Sequence, residues 1–252
     1  EGVDMRIARP RVDLLRAPGG ALDCQLLMGT PFRVLEEDPE TGLAFGQSLR
    51  DGYVGYLPAD ALAPPVAATH RVAALASHAY PVPDIKARPS CALSFGCAVA
   101  VTGEEGAFLC LADGSHVPKP HLAPLSRPEA DFVAVCETFL GIPYLWGGNS
   151  SAGMDCSGML QLALWAAGRE FPRDSDMQQG EGGEIPRAEG LARGDLIFWQ
   201  GHVGVMRDEE TLIHANAHHM AVAHEPLETA RRRIAATGGG EITSRRRLND
   251  RT

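Results

Sequence analysis

Three side chains in the second half of the chain have the types that a thiol-dependent reaction needs: Cys156, His202 and His214. Cys156 lies in the segment Met154-Asp-Cys-Ser-Gly158, at the predicted start of a helix, where unpaired N–H groups and the helix dipole favour negative charge. We expect a thiol in this place to ionise more easily, and the thiolate is the nucleophilic form. Asp155 is expected to cap the same helix. For a single cysteine the alternative is a buried, inert thiol.

A nucleophilic thiol requires a base, and the base requires a group that orients it. His202 and His214 lie on two predicted strands that are joined by a turn around Asp208-Glu-Glu210. With the hairpin centred near residue 208, the two histidines stand directly opposite each other and project from one face of adjacent strands. A slip of one residue would move one of them to the other face. Two unrelated core histidines are the alternative.

Three further histidines, His218, His219 and His224, raise the alternative of a metal site. Zinc sites use His and Cys at short spacings, but no cysteine or carboxylate lies beside these histidines in a recognised pattern. None of the six cysteines has CxxC spacing, which argues against a zinc ribbon or a thioredoxin-type site. We therefore expect no metal and no cofactor.

The first half of the chain is rich in Pro and Gly and has short apolar runs, which favours small all-β units. A weak internal repeat indicates two of them. In each copy a similar apolar segment is followed by an Asp-Gly turn and then by Leu-Ala-Pro. The paired segments are 25–34 and 92–101, 51–52 and 113–114, and 62–64 and 122–124. We predict two barrels, at residues 1–66 and 67–125.

Residues 126–252 predict an α+β domain, because helices precede a meander of strands. Ser126-Arg-Pro-Glu129 has the form of a capping box, which predicts a first helix ending at Gly141. A second helix is predicted from Cys156 to Gly168. After a polar, Gly-rich loop, four strand-like runs follow, at 195–199, 202–206, 211–215 and 221–223.

Composition limits the partners. The net charge of −9 argues against nucleic acid as a general partner, and no run approaches the roughly 20 apolar residues of a membrane span. Residues 231–252 hold seven arginines. We interpret them as a solvated helix and an exposed strand rather than as a surface for an anionic polymer.

The compartment and the oligomeric state are less constrained. No secretory signal is visible at the start of the chain, and unpaired thiols fit a reducing compartment. We expect the cytoplasm, with the periplasm or cell envelope as the alternative if a signal was removed. The sequence does not predict the oligomeric state.

Six motifs occur in order in the second half: Pro143-Tyr-Leu-Trp-Gly-Gly148, Asp155-Cys-Ser-Gly158, Pro172-Arg-Asp-Ser175 with Gln178, Arg193-Gly-Asp-Leu196, Gly201-His-Val-Gly204 and Ile213-His-Ala215. Together they resemble the NlpC-type cell-wall cysteine peptidases, which have a papain-like α+β fold. The resemblance covers essentially all of residues 126–252. The first half resembles tandem bacterial SH3-like domains.

The resemblance implies a role for each matching residue. Cys156 would be the nucleophile, His202 the general base and His214 the residue that orients it, with the Cys156 N–H as a candidate oxyanion donor. Tyr144 would lie near the reacting carbonyl. The implied substrate-binding residues are Tyr144, Trp146, Asp155, Ser157 and Ser175. Core aromatics, a helix cap and loop hydroxyls remain the alternatives for these five.

The substrate implied by the resemblance is a bacterial cell-wall peptide, cut between γ-D-glutamate and a diamino acid. Relatives with N-terminal SH3-like domains resemble murein peptide recycling enzymes that accept only peptides with a free N-terminal L-alanine. Asp155 would suit that ammonium group. Two alternatives stay open: a thiol-dependent amidase or acyltransferase acting on another amide, and a wall-binding SH3-like protein with a degenerate catalytic domain.

Overall fold

The computed structural model of the protein describes residues 2–249. Within that range the chain forms two compact units. One unit comprises the residues up to Pro128 together with Trp146–Ala152, and the other comprises Glu129–Leu145 together with the residues from Gly153 onward. The three predicted domain ranges, 1–66, 67–125 and 126–252, stay predictions.

The first strands of unit one form a seven-stranded antiparallel sheet in the order β3-β2-β6-β5-β4-β1-β7. Alternate side chains point inward, so Ile7, Leu14, Phe32 and Leu57 are fully buried in one core. The strands are β1 (Val3–Ile7), β2 (Arg11–Leu15), β3 (Leu22–Leu27), β4 (Pro31–Asp38), β5 (Leu43–Ser48), β6 (Val54–Pro58) and β7 (Leu62–Ala63).

A second group of strands in unit one forms smaller antiparallel sheets: β9 with β10, β8 between β11 and β15, and β13 between β12 and β14. Their bounds are β8 (His70–Val72), β9 (Ala76–Ala79), β10 (Cys91–Ser94), β11 (Ala98–Val99), β12 (Val101–Glu105), β13 (Phe108–Leu111), β14 (His116–Pro118) and β15 (Leu122–Pro124). Unit one also contains β16 (Asn149–Ser150).

The two strand groups repeat the same local devices, as the sequence repeat predicts. Gly52 and Gly114 occupy the two Asp-Gly turns with φ of +78° and +82°, a conformation that glycine adopts without steric cost. Each Leu-Ala-Pro segment forms a closing strand that follows a short 3-10 helix, Ala59–Ala61 in the first group and Lys119–His121 in the second.

The second unit contains helices and one six-stranded sheet in the order β18-β23-β19-β20-β21-β22. The predicted α+β fold is confirmed. Among the described residues, no helix is both long and apolar enough to cross a bilayer. The elements are α1 (Phe132–Thr138), β17 (Gly153–Met154), α2 (Cys156–Ala166), α3 (Ser175–Gln178), β18 (Gly183–Glu184), β19 (Leu196–Trp199), β20 (His202–Met206), β21 (Thr211–Asn216), β22 (Ala221–Pro226), α4 (Leu227–Ala236) and β23 (Ser244–Arg247).

Helix α2 lies in the core of the second unit. Every residue of it except Trp165 is buried, as expected for a helix that is apolar on all sides. It begins at Cys156 and has Asp155 as its cap, both as predicted, and it ends at Ala166, two residues before the predicted end. The cysteine is therefore carried by a rigid element.

The predicted start of the first helix is wrong. Asp131, not Ser126, caps α1, and its side chain accepts hydrogen bonds from the N–H groups of Val133 and Ala134 at 2.8 and 3.2 Å. Ser126 to Pro128 lie in the first unit, so the capping-box pattern falls outside the domain that contains the helix. Gly141 follows the helix end with φ of +82°, consistent with its predicted terminating role.

The interpretation of the basic segment as an exposed strand is also wrong. Strand β23 lies inside the sheet, between β18 and β19, and is only partly exposed. Arg247 forms two hydrogen bonds of 2.7 Å to the buried carboxylate of Asp195. Residues 250–252, which end the basic segment, lie outside the described residues.

Candidate active site

The N-terminus of α2 positions Cys156 through its cap. The Asp155 side chain accepts a 2.7 Å hydrogen bond from the N–H of Gly158, and the Ser157 hydroxyl donates to the same oxygen at 3.3 Å. Asp155, Cys156 and Ser157 are all buried. The cap fixes the first turn of the helix, and the thiol is attached to that turn.

A buried arginine braces this cap. Arg173, which is 2% exposed, donates to both carboxylate oxygens of Asp155 at 2.9 and 2.7 Å and to the Ser157 hydroxyl at 2.8 Å. Gln178 in turn donates to the carbonyl oxygens of Ser157 and Pro172 at 3.0 and 2.8 Å. The motif from Pro172 to Gln178 is therefore a support for the start of α2.

His202 and His214 come together, but in a different register from the predicted one. The ladder pairs Val205 with Ile213 and Met206 with Leu212, so the pairing is shifted by two residues and His214 does not stand directly opposite His202. A shift of two keeps both side chains on the same face, because side chains alternate along a strand. His202 Nε2 lies 2.9 Å from His214 Nδ1.

Two residues that the sequence patterns did not predict continue this chain of contacts. His214 Nε2 lies 3.0 Å from Glu225 Oε2, and both side chains are buried. Arg233 donates two hydrogen bonds to the carboxylate of Glu225, from Nε to Oε1 at 3.0 Å and from Nη2 to Oε2 at 2.6 Å. Glu225 lies on β22 and Arg233 on α4. Four side chains thus form one connected series.

Burial opposes the predicted easy ionisation of the Cys156 thiol, which stays a prediction. Burial raises the pKa of Cys156 to about 12, and the negative charge of Asp155 adds to the rise. Hydrogen bonds from the N–H groups of Val203 and Ser157 and the charge of Arg173 favour the thiolate, but they are weaker than burial. The contact with Val203 also places the sulfur beside the start of β20, next to His202.

Burial acts on the two histidines in the opposite sense. It lowers the pKa of His202 to about 3, and the positive charge of Arg233, with that of His214 when it is protonated, lowers it further. Although part of His202 reaches the surface, enough protein surrounds the ring to disfavour its cation. Burial also lowers the pKa of His214, and the hydrogen bond that Glu225 accepts from His214 acts against this fall. At neutral pH the site therefore holds a neutral thiol and two neutral imidazoles.

Tyr144 lies close enough to Cys156 and Asp155 to sense their charges. Burial raises the pKa of its phenol to about 12, and negative charge on these two residues contributes to the rise. Its backbone N–H donates to the carbonyl of Met220 at 2.9 Å. Met220 has φ of +50°, a left-handed conformation that is uncommon outside glycine. The turn between β21 and β22 therefore helps to hold Tyr144.

The five predicted groove residues lie in both units of the structure. Trp146 belongs to the first unit and is 67% exposed. Ser175 begins α3 and is partly exposed. Asp155 and Ser157 support the helix start, and Tyr144 lies near the thiol.

The sequence comparisons identify the domain that contains this site. Residues 141–234 match the model of the NlpC/P60 family, a range that includes the cysteine, both histidines, Glu225 and Arg233. The chain carries an NlpC/P60 domain. Residues 14–62 match a second family, described as the bacterial dipeptidyl-peptidase Sh3 domain.

Curated relatives contain similar sequence. The chain is 32% identical over 139 residues to a γ-D-glutamyl-L-lysine dipeptidyl-peptidase of Bacillus cereus, which covers 52% of this chain and 41% of the relative. It is 41% identical over 79 residues to the protein of the same name from Bacillus subtilis, which covers 30% of this chain and 26% of the relative. The matches thus span less than half of either relative.

A solved structure shows the same fold. An NlpC/P60 family protein from Bacillus cereus superposes with a TM-score of 0.81 over 98% of this chain and 99% of that chain, at 20% sequence identity. At that identity the likeness concerns the fold alone.

Within the NlpC/P60 domain, one cluster has the composition of a metal site. Ligand atoms of His214, His219 and Glu225 lie within 4.8 Å of one another. No recognised sequence pattern joins a carboxylate to these histidines, but β22 pairs with β21 and brings Glu225 beside His214. Both oxygens of that carboxylate already accept hydrogen bonds from Arg233. A cation would have to compete with this arginine.

The sequence contained a partial signal for the missed residues. Arg173 and Gln178 were part of a recognised motif but carried no assigned role. Glu225 lies in the strand that follows His214 along the chain, and a carboxylate there, among apolar residues, is the kind of group that orients a histidine. Arg233 was hidden within a run of three arginines.

Proposed function

We propose that the protein is a cysteine peptidase that hydrolyses bacterial cell-wall peptides at the bond between γ-D-glutamate and a diamino acid. The observation that carries the proposal is the 2.9 Å hydrogen bond between His202 and His214 beside a buried cysteine at a helix start. The NlpC/P60 domain and the dipeptidyl-peptidase names of the relatives support the reaction and the substrate class.

The proposed reaction uses Cys156 as the nucleophile. Its sulfur attacks the γ-glutamyl carbonyl carbon while the thiol proton passes to His202. The carbonyl oxygen becomes an oxyanion, for which the N–H of Cys156 and the hydroxyl of Tyr144 are the candidate donors. His202 then gives the proton to the leaving amine as the C–N bond breaks. Water, deprotonated by the same imidazole, hydrolyses the thioester and restores the thiol.

The neutral thiol and imidazole suit this sequence of steps. Because burial disfavours both charged forms, we place the transfer of the thiol proton to His202 in the same step as attack on the substrate carbonyl. Substrate binding therefore precedes ionisation in the proposed mechanism. A permanently exposed thiolate is not required.

The first experiment is cleavage of L-Ala-γ-D-Glu-meso-diaminopimelate and of the matching L-lysine tripeptide. We expect release of the L-Ala-γ-D-Glu dipeptide by the wild type, loss of release in Cys156→Ala, and near wild-type release in Cys91→Ala, a half-buried thiol of the first unit. Release that persists in Cys156→Ala would contradict the assigned nucleophile. If no release occurs while Cys156 still reacts with a thiol probe, the substrate is a different amide.

We also propose that the substrate requires a free amino end, as the dipeptidyl-peptidase names of the relatives suggest. Asp155 is a candidate for the ammonium group, although it shares its charge with Arg173. Comparison of the free and the N-acetylated tripeptide tests this point. A kcat/KM that falls by at least about tenfold on acetylation is expected, and equal cleavage of the two peptides would contradict it.

A cytoplasmic location and a role in murein peptide recycling remain part of the proposal. Free thiols at Cys91, Cys97, Cys110 and Cys136 fit a reducing compartment. Fractionation of the source cells, followed by detection of the protein, distinguishes the cytoplasm from the envelope.

A further inference from the structure

The series from His202 to Arg233 contains a carboxylate and an arginine that the proposed reaction does not use. We propose that Glu225 and Arg233 are positioning residues: Arg233 holds Glu225, Glu225 orients the His214 ring, and His214 leaves only Nδ1 of His202 available for the thiol proton. This inference rests on the proposed peptidase function and specifies how its base is prepared.

The first step concerns the proton on His214. Two hydrogen bonds from Arg233 stabilise Glu225 as a carboxylate, and a carboxylate can only accept hydrogen bonds. His214 Nε2, 3.0 Å from Glu225 Oε2, must therefore carry the proton. A neutral imidazole has one N–H, so Nδ1 of His214 is then an acceptor.

The second step passes this constraint to His202. The acceptor Nδ1 of His214 lies 2.9 Å from His202 Nε2, so that nitrogen must be the donor. The remaining nitrogen of His202, Nδ1, then has the lone pair that a general base requires. Glu225, which contacts His214 rather than His202, thus selects which nitrogen of His202 can act as the base.

Burial makes the constraint strict. His214 is fully buried and the side chain of Glu225 is 5% exposed, so water has little access to replace either partner. Arg233 is 19% exposed and comes from α4, the helix that connects the series to the basic C-terminal segment. The same helix has neighbouring arginines, Arg231 and Arg232, that pair with exposed acidic residues. These offer a matched control.

The direct test is the tautomer of each histidine, measured on the wild-type protein by nitrogen-15 NMR of the imidazole rings. The expected result is an Nε2–H tautomer for both His202 and His214. An Nδ1–H tautomer for His214 would overturn the proposal. This measurement requires no substrate and no substitution, so absence of peptide cleavage would count against the proposed function and not against the series.

The functional test compares Glu225→Gln, Arg233→Gln and Arg232→Gln. For Glu225→Gln we expect kcat to fall about a hundredfold, with KM changed less than about twofold, because the base is misoriented while the substrate groove is intact. Arg233→Gln should lower kcat by less, and Arg233→Lys should restore part of it. Arg232→Gln should leave both constants unchanged.

The double variant Glu225→Gln/Arg233→Gln decides whether the arginine acts through the carboxylate. In the proposed series Arg233 acts through Glu225. The kcat of the double variant should therefore equal that of Glu225→Gln within about twofold. Independent, multiplying losses would contradict the proposed order of the series. An unchanged kcat in Glu225→Gln would contradict the positioning role itself.

Discussion

Two arginine–carboxylate pairs support the site, one on the helical side and one on the sheet side, and they act on different parts of the chain. Arg173 and Asp155 fix backbone, because Asp155 caps the turn that carries Cys156. Arg233 fixes a side chain, because Glu225 holds the ring of a histidine. The proposed nucleophile is positioned by its helix, whereas the proposed base is positioned by a series of side chains.

The electrostatic effects of the two pairs are parallel. Asp155 raises the pKa of Cys156 and Arg173 lowers it, and Glu225 raises the pKa of His202 while Arg233 lowers it. In each pair the two charges oppose each other, so burial, the largest cause at both residues, sets the direction. The pairs orient the reacting groups more than they charge them.

The largest expected effect comes from breaking the helical-side pair. Arg173→Gln leaves Asp155 buried without its cation, and loss of one partner of a buried pair costs about 3–5 kcal/mol of the free energy of unfolding. Urea denaturation measures the loss. Arg193→Gln, which breaks a partly exposed pair with Asp131, should cost only about 0–1 kcal/mol. Similar losses in the two variants would show that the buried pair has no special structural role.

The second-largest expected effect is a pH dependence of the free energy of unfolding that arises from His202. The folded-state pKa of His202 is lowered to about 3, whereas the unfolded chain has the ordinary value near 6.5. Between these values the unfolded state binds a proton that the folded state does not, so stability falls as pH drops below about 6.5. Denaturation midpoints at pH 7.5 and 5 should show this fall. His202→Gln should reduce it, and substitution of the exposed His218 by Gln should not.

The same neutral histidine predicts how activity responds to acid. His202 must be unprotonated to take the thiol proton, and its lowered pKa keeps it so well below pH 6.5. We expect kcat/KM for the tripeptide to persist at pH 5, with the acid limb at lower pH. A limb centred near pH 6.5 would indicate that the imidazole is solvated during the reaction, contrary to the burial described here.

The residues that a local pattern determines were predictable, and those that a tertiary contact determines were not. The start of α2 at Cys156 follows from a capping aspartate before an apolar run, and the shared face of His202 and His214 follows from the two-residue period of a hairpin. The two-residue register shift was invisible because it preserves the same face. Local patterns were therefore enough to place the two groups that we propose to react.

Glu225 and Arg233 illustrate the opposite case. A glutamate near a strand end and an arginine in a basic helix are ordinary solvent-facing residues by pattern alone. Only the pairing of β22 with β21, together with the packing of α4, buries the glutamate beside His214. Likewise, Ser126 matched the capping pattern more fully than Asp131, but Ser126 lies in the first unit and the helix lies in the second. Supporting residues depend on contacts that spacing does not encode.

The smallest expected effect concerns the turn between β21 and β22. The backbone N–H of Tyr144 donates a hydrogen bond to the carbonyl of Met220 in this turn, and Met220 has φ of +50°. Met220→Gly relieves a left-handed strain of about 1–2 kcal/mol but adds freedom to the unfolded chain, so a net gain of about 0–1 kcal/mol is expected in urea denaturation.

The matched control for this turn is Met177→Gly, an equally exposed methionine in α3. Helical glycine costs about 0.5–1 kcal/mol, so the two substitutions should change stability in opposite directions. The backbone carbonyl survives in Met220→Gly, and kcat for the tripeptide should therefore stay within about twofold of the wild type. If stability rises but kcat falls, the strained turn holds Tyr144 in a position that relaxed backbone does not reproduce, and the strain itself contributes to the site.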